Sequence, residues 1–144
     1  MIAVDTNILV YAHMKDSLNH KTASLAIQRL TEGTAPWGIP WPCVHEFLSV
    51  STNPRIFRPP SPPEIAIQQV EIWMESPTLR LLQEPAGYWS HLRATFLSGK
   101  LAGAQVHDAR IHAICLASGV REVWSADRDF SRMRGLKIVN PCLE

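Results

Sequence analysis

The chain has 144 residues, 46% of them hydrophobic and 19% charged, and a formal net charge of +1. That length suits one domain with one well-formed core, and the composition excludes a disordered or fibrous chain. The near-neutral balance excludes a protein that coats nucleic acid electrostatically, but not an enzyme that touches a few phosphates.

A short apolar run, Ile2 to Val4, reads as a strand over 2–5, closed by the turn-forming residues Asp5-Thr6-Asn7 before a helix begins. Asn19 is placed to cap a helix over about 20–32, whose inner face is Ala23, Ala26, Ile27 and Leu30. Gly33 ends it, and Trp37 to Trp41 reads as a brief strand beside prolines. Pro42 suits the first position of a helix over about 42–52. Its core stripe of Val44, Phe47, Leu48 and Ser51 leaves Glu46 at the edge of the buried face. Asn53 to Pro63 is proline-rich, carries Arg55 and Arg58, and reads as an irregular excursion. Ser61 and Glu64 have capping-box spacing at the start of a helix over about 62–75. A strand at 79–82 follows, then a helix over about 88–98 after Pro85-Ala86-Gly87. Residues 105–118 are apolar nearly all round, which predicts a central buried helix ended by Gly119. Strands at 122–126 and 136–139 complete the chain. Helices alternating with brief strands give an α/β class, with a parallel sheet covered on both faces.

Cys43, Cys115 and Cys142 form no CxxC pair and no zinc-like spacing, so they fit a reducing compartment as small apolar residues. No apolar run approaches the ~20 residues of a membrane span, and no secretory signal is visible, so a cytoplasmic protein is expected.

The acids stand out against this background. Asp5, Glu46, Asp108 and Asp127 each lie at a helix or strand boundary, where open α/β sheets bind ligands. Asp108 interrupts the most apolar helix, with Gln105 and His112 on its stripe. If the four converge, each pair about 5 Å apart repels by roughly 3 kcal/mol at an effective dielectric near 20. Raised pKa values or a divalent cation would relieve this, and an all-oxygen set selects Mg²⁺ or Mn²⁺. Such an ion supports phosphodiester hydrolysis, with Asp5, Asp108 and Asp127 as ligands and Glu46 holding a metal water or a second ion. Thr6, Asn7 and Ser125 can orient the acids through hydrogen bonds. Arg110, Arg128, Arg132 and Arg134 can form a basic rim for RNA phosphates. Each acid also has a plain structural reading, as a cap or a solvated helix edge.

Four blocks carry a resemblance: Asp5 to Tyr11, Glu46, His107-Asp108-Ala109, and Ser125 to Phe130. Together, and in this order, they resemble the PIN domain, more narrowly the VapC-type toxins of bacterial toxin–antitoxin pairs. The resemblance covers residues 1 to about 140. It implies one three-layer α/β/α domain over 1–144 with a short-stranded, mainly parallel sheet. It also implies a Mg²⁺- or Mn²⁺-dependent endoribonuclease, a homodimer held inactive by a cognate antitoxin. The family's acids fall on Asp5, Glu46, Asp108 and Asp127, and a more structural position falls on Asp129. Arg110, Arg128 and His112 are the expected RNA contacts. Two rivals remain. A haloacid-dehalogenase-like phosphatase also places Asp after its first strand, but wants a second Asp where Asn7 stands. A PIN-like module that binds without cutting has no physical need for four repelling carboxylates.

Overall fold

The computed structural model describes residues 1–132 and 134–143, the side chains of Ser131 and Arg132 excepted. Five short strands are β1 (Ile2–Val4), β2 (Trp37–Pro40), β3 (Leu79–Leu82), β4 (Glu122–Trp124) and β5 (Lys137–Val139). All neighbours pair in parallel, in the order β3-β2-β1-β4-β5. Six helices flank this sheet in a three-layer α/β/α arrangement: α1 (Thr6–His13), α2 (His20–Glu32), α3 (Trp41–Ser51), α4 (Pro63–Met74), α5 (Tyr88–Ser98) and α6 (Val106–Ala117). β2, β1 and β4 each pair on both sides, and β1 and β2 are buried almost continuously. Ala3, Val4, Trp37 and Ile39 show at most 1% exposure.

Four of the helices show which face they bury. The inner stripe Ala23, Ala26 and Ile27 of α2 is buried as its spacing predicts, while α1 joins the core through Ile8, Leu9 and Val10. On α3 the buried face is Cys43, Val44, Phe47 and Ser51, and Glu46 is half-buried at its edge. The buried part of α6 is Ala109 and Ile111 to Cys115, which leaves Asp108 in the first turn, half-buried.

Four local expectations are corrected. Asn19 makes no side-chain cap; its carbonyl accepts instead from Ala23 N (2.9 Å) and Thr22 Oγ1 (3.1 Å). The Ser61–Glu64 capping box does not form either. The Ser61 hydroxyl is engaged by His13 Nε2 at 2.8 Å, and His13 Nδ1 meets Gln69 Oε1 at 3.1 Å, tying α1 to α4. Trp41, not Pro42, opens α3, so the proline sits one residue inside. The expected strand at 122–126 stops at Trp124, the partner of the last residue of β1, Val4.

The excursion between α3 and α4 is a closed loop. Ser61 N donates to the Ser51 carbonyl (2.8 Å), and the Asn53 carbonyl accepts from both Ile56 N and Phe57 N (3.0 Å each).

Candidate active site

The strand order reverses beside β1, so the carboxyl ends of β1 and β4 border the crevice where open α/β sheets bind ligands. Asp5 lies at this point. Its backbone N–H extends the sheet by donating to the Trp124 carbonyl (2.9 Å), and its side chain then caps α1. Asp5 is only 4% exposed, yet both oxygens are supplied with donors. Oδ1 accepts from Thr6 N (2.8 Å) and the Cys43 thiol (3.7 Å); Oδ2 accepts from Ser125 Oγ (2.7 Å) and Asn7 Nδ2 (3.3 Å). Burial pushes its pKa up from 3.8 to about 6. The bonds from Ser125 and Thr6 oppose that rise, and the charges of Glu46 and Asp108 add to it.

The neighbouring acids are tied to the same frame. Thr6 bonds Asp5 through its backbone, and its hydroxyl donates to Glu46 Oε2 at 2.8 Å, so one residue links two acids on different helices. Asn7 accepts from Ala126 N (3.0 Å), which holds α1 against the segment after β4. Asp127 N donates to Ser125 Oγ (3.0 Å), which in turn donates to Asp5. The carboxylate of Asp127 accepts from Asp129 N (2.8 Å), so it caps the short 3₁₀ turn that follows. Asp108 enters from the first turn of α6. Burial raises its pKa, the charges of Asp127, Glu46 and Asp129 raise it further, and His107 opposes them.

Asp5, Glu46, Asp108 and Asp127 therefore line one open cleft of about 330 Å³, together with Thr6 and Asn7. Its remaining wall is apolar: Val10, Tyr11, Val50 and Phe57. The ion pairs Arg110–Glu84 and Lys137–Glu122 involve none of these four acids. Among the described residues, no three carboxylate, histidine or cysteine groups close on one point tightly enough to grip an ion unaided.

The proposed RNA contacts fare unevenly. His112 is corrected: it is fully buried, with Nε2 donating to the Arg134 carbonyl (2.8 Å), and burial lowers its pKa, so its ring cannot reach a ligand in the cleft. Arg110 is engaged by Glu84 (2.6 Å), whose carboxyl it holds below the usual range. Arg128 is exposed and borders an adjoining cleft with Ser125 and Asp127. Asp129 is exposed, and its charge reaches Asp108. The side chain of Arg132 lies outside the described residues. Sequence reasoning missed Cys43, Tyr11 and Phe57. Cys43 stands three residues before Glu46 on α3, a spacing that puts both on one helix face and could have flagged it.

The profile of the PIN domain matches residues 2–136. This chain belongs to the PIN-domain family, in its VapC branch. The matched span of the PIN domain contains all four acids and every hydrogen-bond partner just described. Ribonuclease VapC48 of Mycobacterium tuberculosis is 31% identical over 95% of this chain and 94% of its own length. Ribonuclease VapC43 of the same species is 32% identical over 98% and 95%. Among solved structures, VapBC2 from Rickettsia felis bound to a promoter DNA fragment superposes on the PIN domain with a TM-score of 0.66. It is 19% identical and covers 96% of this chain and 98% of its own. VapC20 of Mycobacterium tuberculosis, described as a sarcin-ricin loop cleaving toxin, gives 0.66 at 18% identity, covering 91% and 93%. These two likenesses bear on the fold of the PIN domain.

Proposed function

We propose that this chain is a Mg²⁺- or Mn²⁺-dependent endoribonuclease, the toxin of a type II toxin–antitoxin pair. The observation that carries the reading is the convergence of four carboxylates from four separate parts of the chain in one cleft at the sheet's reversal point. Burial raises the pKa of both Asp5 and Asp108, and the charges of neighbouring acids raise them further, as expected of a site that receives a cation.

The donor chemistry fits a hard divalent ion. Every candidate ligand is a carboxylate, and the Cys43 thiol is held well above its usual pKa by burial and by Asp5, so it stays a donor and does not recruit zinc. Four carboxylates lining one open cleft suit an ion that keeps several of its waters. Asp5, Asp108 and Asp127 would hold it, with Glu46 beside them. Bound there, the ion supplies positive charge for a phosphoryl oxygen and a lowered pKa for water. The chain itself contributes orientation: Ser125, Thr6 and Asn7 fix the Asp5 carboxylate, and the Thr6 hydroxyl fixes Glu46.

A cognate antitoxin and a second copy of the chain are the partners this reading brings, in the cytoplasm. Several solved structures similar in fold are toxin–antitoxin complexes, including one from Klebsiella pneumoniae. Exposed Ile65, Ile67, Ile72 and Met74 on α4, and Trp89 and Leu97 on α5, give such partners apolar surface to cover. No helix among the described residues is long and apolar enough to cross a membrane.

The test is the purified chain incubated with a panel of cellular RNAs in Mg²⁺, Mn²⁺ or EDTA. Cleavage is expected with either ion and not with EDTA. Asp5→Asn and Asp108→Asn should each lose at least about 100-fold in rate, the upper end of what removing a mere orienting partner costs, with the circular dichroism unchanged. Full activity in either variant, or an aspartyl-phosphate trapped on Asp5, would overturn the assignment.

A further inference from the structure

Beside the four acids the cleft is also lined by Val10, Tyr11, Val50 and Phe57, an apolar and aromatic surface. Metal binding and hydrolysis have no use for such a wall, and apolar groups beside acids raise the cost of ionising them. Its placement therefore calls for a ligand with both a charged and a flat apolar part.

Phe57 is the more deliberate of the two aromatics. Tyr11 follows from the fold, one turn along α1 from Asn7. Phe57 comes instead from the loop between α3 and α4, and that loop is built to hold it. Ser61 N closes its base on the Ser51 carbonyl, the Asn53 carbonyl accepts from Phe57 N, and Asn53 Oδ1 accepts from Arg55 N (2.9 Å). The ring is half-buried, packed against the core on one side and lining the cleft on the other. Arg55 and Arg58 flank it, both exposed and neither in an ion pair among the described residues.

We propose that Phe57, with Tyr11, forms a nucleobase subsite: an unstacked base of a single-stranded RNA lies on this wall while the adjoining phosphodiester faces the acids. The proposal rests on the ribonuclease reading and names its substrate class. A base is planar and apolar on its faces, it is joined through one sugar to the phosphate, and aromatic side chains receive it regardless of its identity. Bases in a duplex are stacked on one another and cannot offer that face, so the wall selects single-stranded loops and ends. Arg55 and Arg58, exposed on the same loop, are available to the neighbouring phosphates.

The experiment uses the full chain and the RNA cleaved in the panel, together with a series of that RNA carrying one abasic nucleotide at each position in turn. Binding is read by fluorescence anisotropy in the Asp108→Asn background, and KM and kcat in the cleaving chain. Phe57→Leu keeps the apolar bulk but loses the planar face. It should bind the RNA about 10-fold more weakly and raise KM with little change in kcat, while Phe57→Trp restores binding. One abasic position next to the cut should weaken the wild-type chain by the same factor and leave Phe57→Leu unaffected. Equal binding by Phe57→Leu and wild type, or a Phe57→Leu loss that no abasic position reproduces, overturns the subsite while cleavage by the wild type still stands. A wild-type chain that neither binds nor cleaves any RNA overturns the ribonuclease reading and this proposal together.

Discussion

Asp5 performs two duties that pull in opposite directions. As the cap of α1 it accepts a backbone N–H, and as a cleft acid it is buried among other carboxylates. The second duty raises its pKa from 3.8 to about 6, a displacement worth about 3 kcal/mol between its two protonation states. Because the folded value exceeds the unfolded one, the folded chain holds this proton more tightly. The resulting stability is complete below about pH 4 and is lost as the pH rises through about 6. In EDTA, the urea midpoint should therefore fall between about pH 5 and about pH 7.5, and Asp5→Asn should flatten that fall. A variant with the wild-type slope would assign the dependence to other groups. Asp5 was legible in the sequence because an acid at the end of an apolar strand is unusual. Phe57 was not, since nothing in Ile56-Phe57-Arg58 reveals that the loop folds back over the cleft. His112 misled for a related reason: spacing places it on the Asp108 stripe, but one turn further along α6 that stripe has entered the core.

At the scale of elements, α2 and α5 match their predicted spans because glycines at 33, 87 and 99 bound them. Strand lengths were less legible. A strand ends where its neighbour does, so β4 stops at Trp124 opposite Val4 and releases Ser125 and Ala126 to bond with Asp5 and Asn7. The Ser61–Glu64 signal failed because a distant residue, His13, claims the hydroxyl, and local spacing carries no record of that. The sheet offers its own test at Gly38. A Cβ there would stand 2.8 Å from Leu82 Cδ1 and 3.1 Å from Leu82 Cγ, and Leu82 is buried on β3. Gly38→Ala should destabilise the chain by about 1–3 kcal/mol, the usual cost of overpacking a core. In a Leu82→Ala background the same change should cost much less, as a double-mutant cycle in urea would show. Equal costs in the two backgrounds would place the strain in the backbone.

For the molecule as a whole, the net charge of +1 bounds how the proposed RNA substrate would be held. A chain with so little excess cation cannot rely on a broad electrostatic footprint. If Arg55 and Arg58 supply the principal phosphate contacts, the slope of log affinity against log salt should be about −1.4 for single-stranded RNA. Titration of the Asp108→Asn chain at several salt concentrations measures it. A slope several times steeper would mean that a larger basic surface takes part.

The bond from Ser125 to Asp5 spans 120 residues, and β1 has β4 as one of its two neighbours. Ribosomes add about 5–20 residues each second, so roughly 6 to 24 s separate the synthesis of Asp5 from that of the hydroxyl that orients it. Asp127, one of the four acids, is made later still. A chain halted anywhere before β4 has its first acid but no crevice to place it in. Whatever this protein cuts, it cannot begin to cut while most of it is still being made.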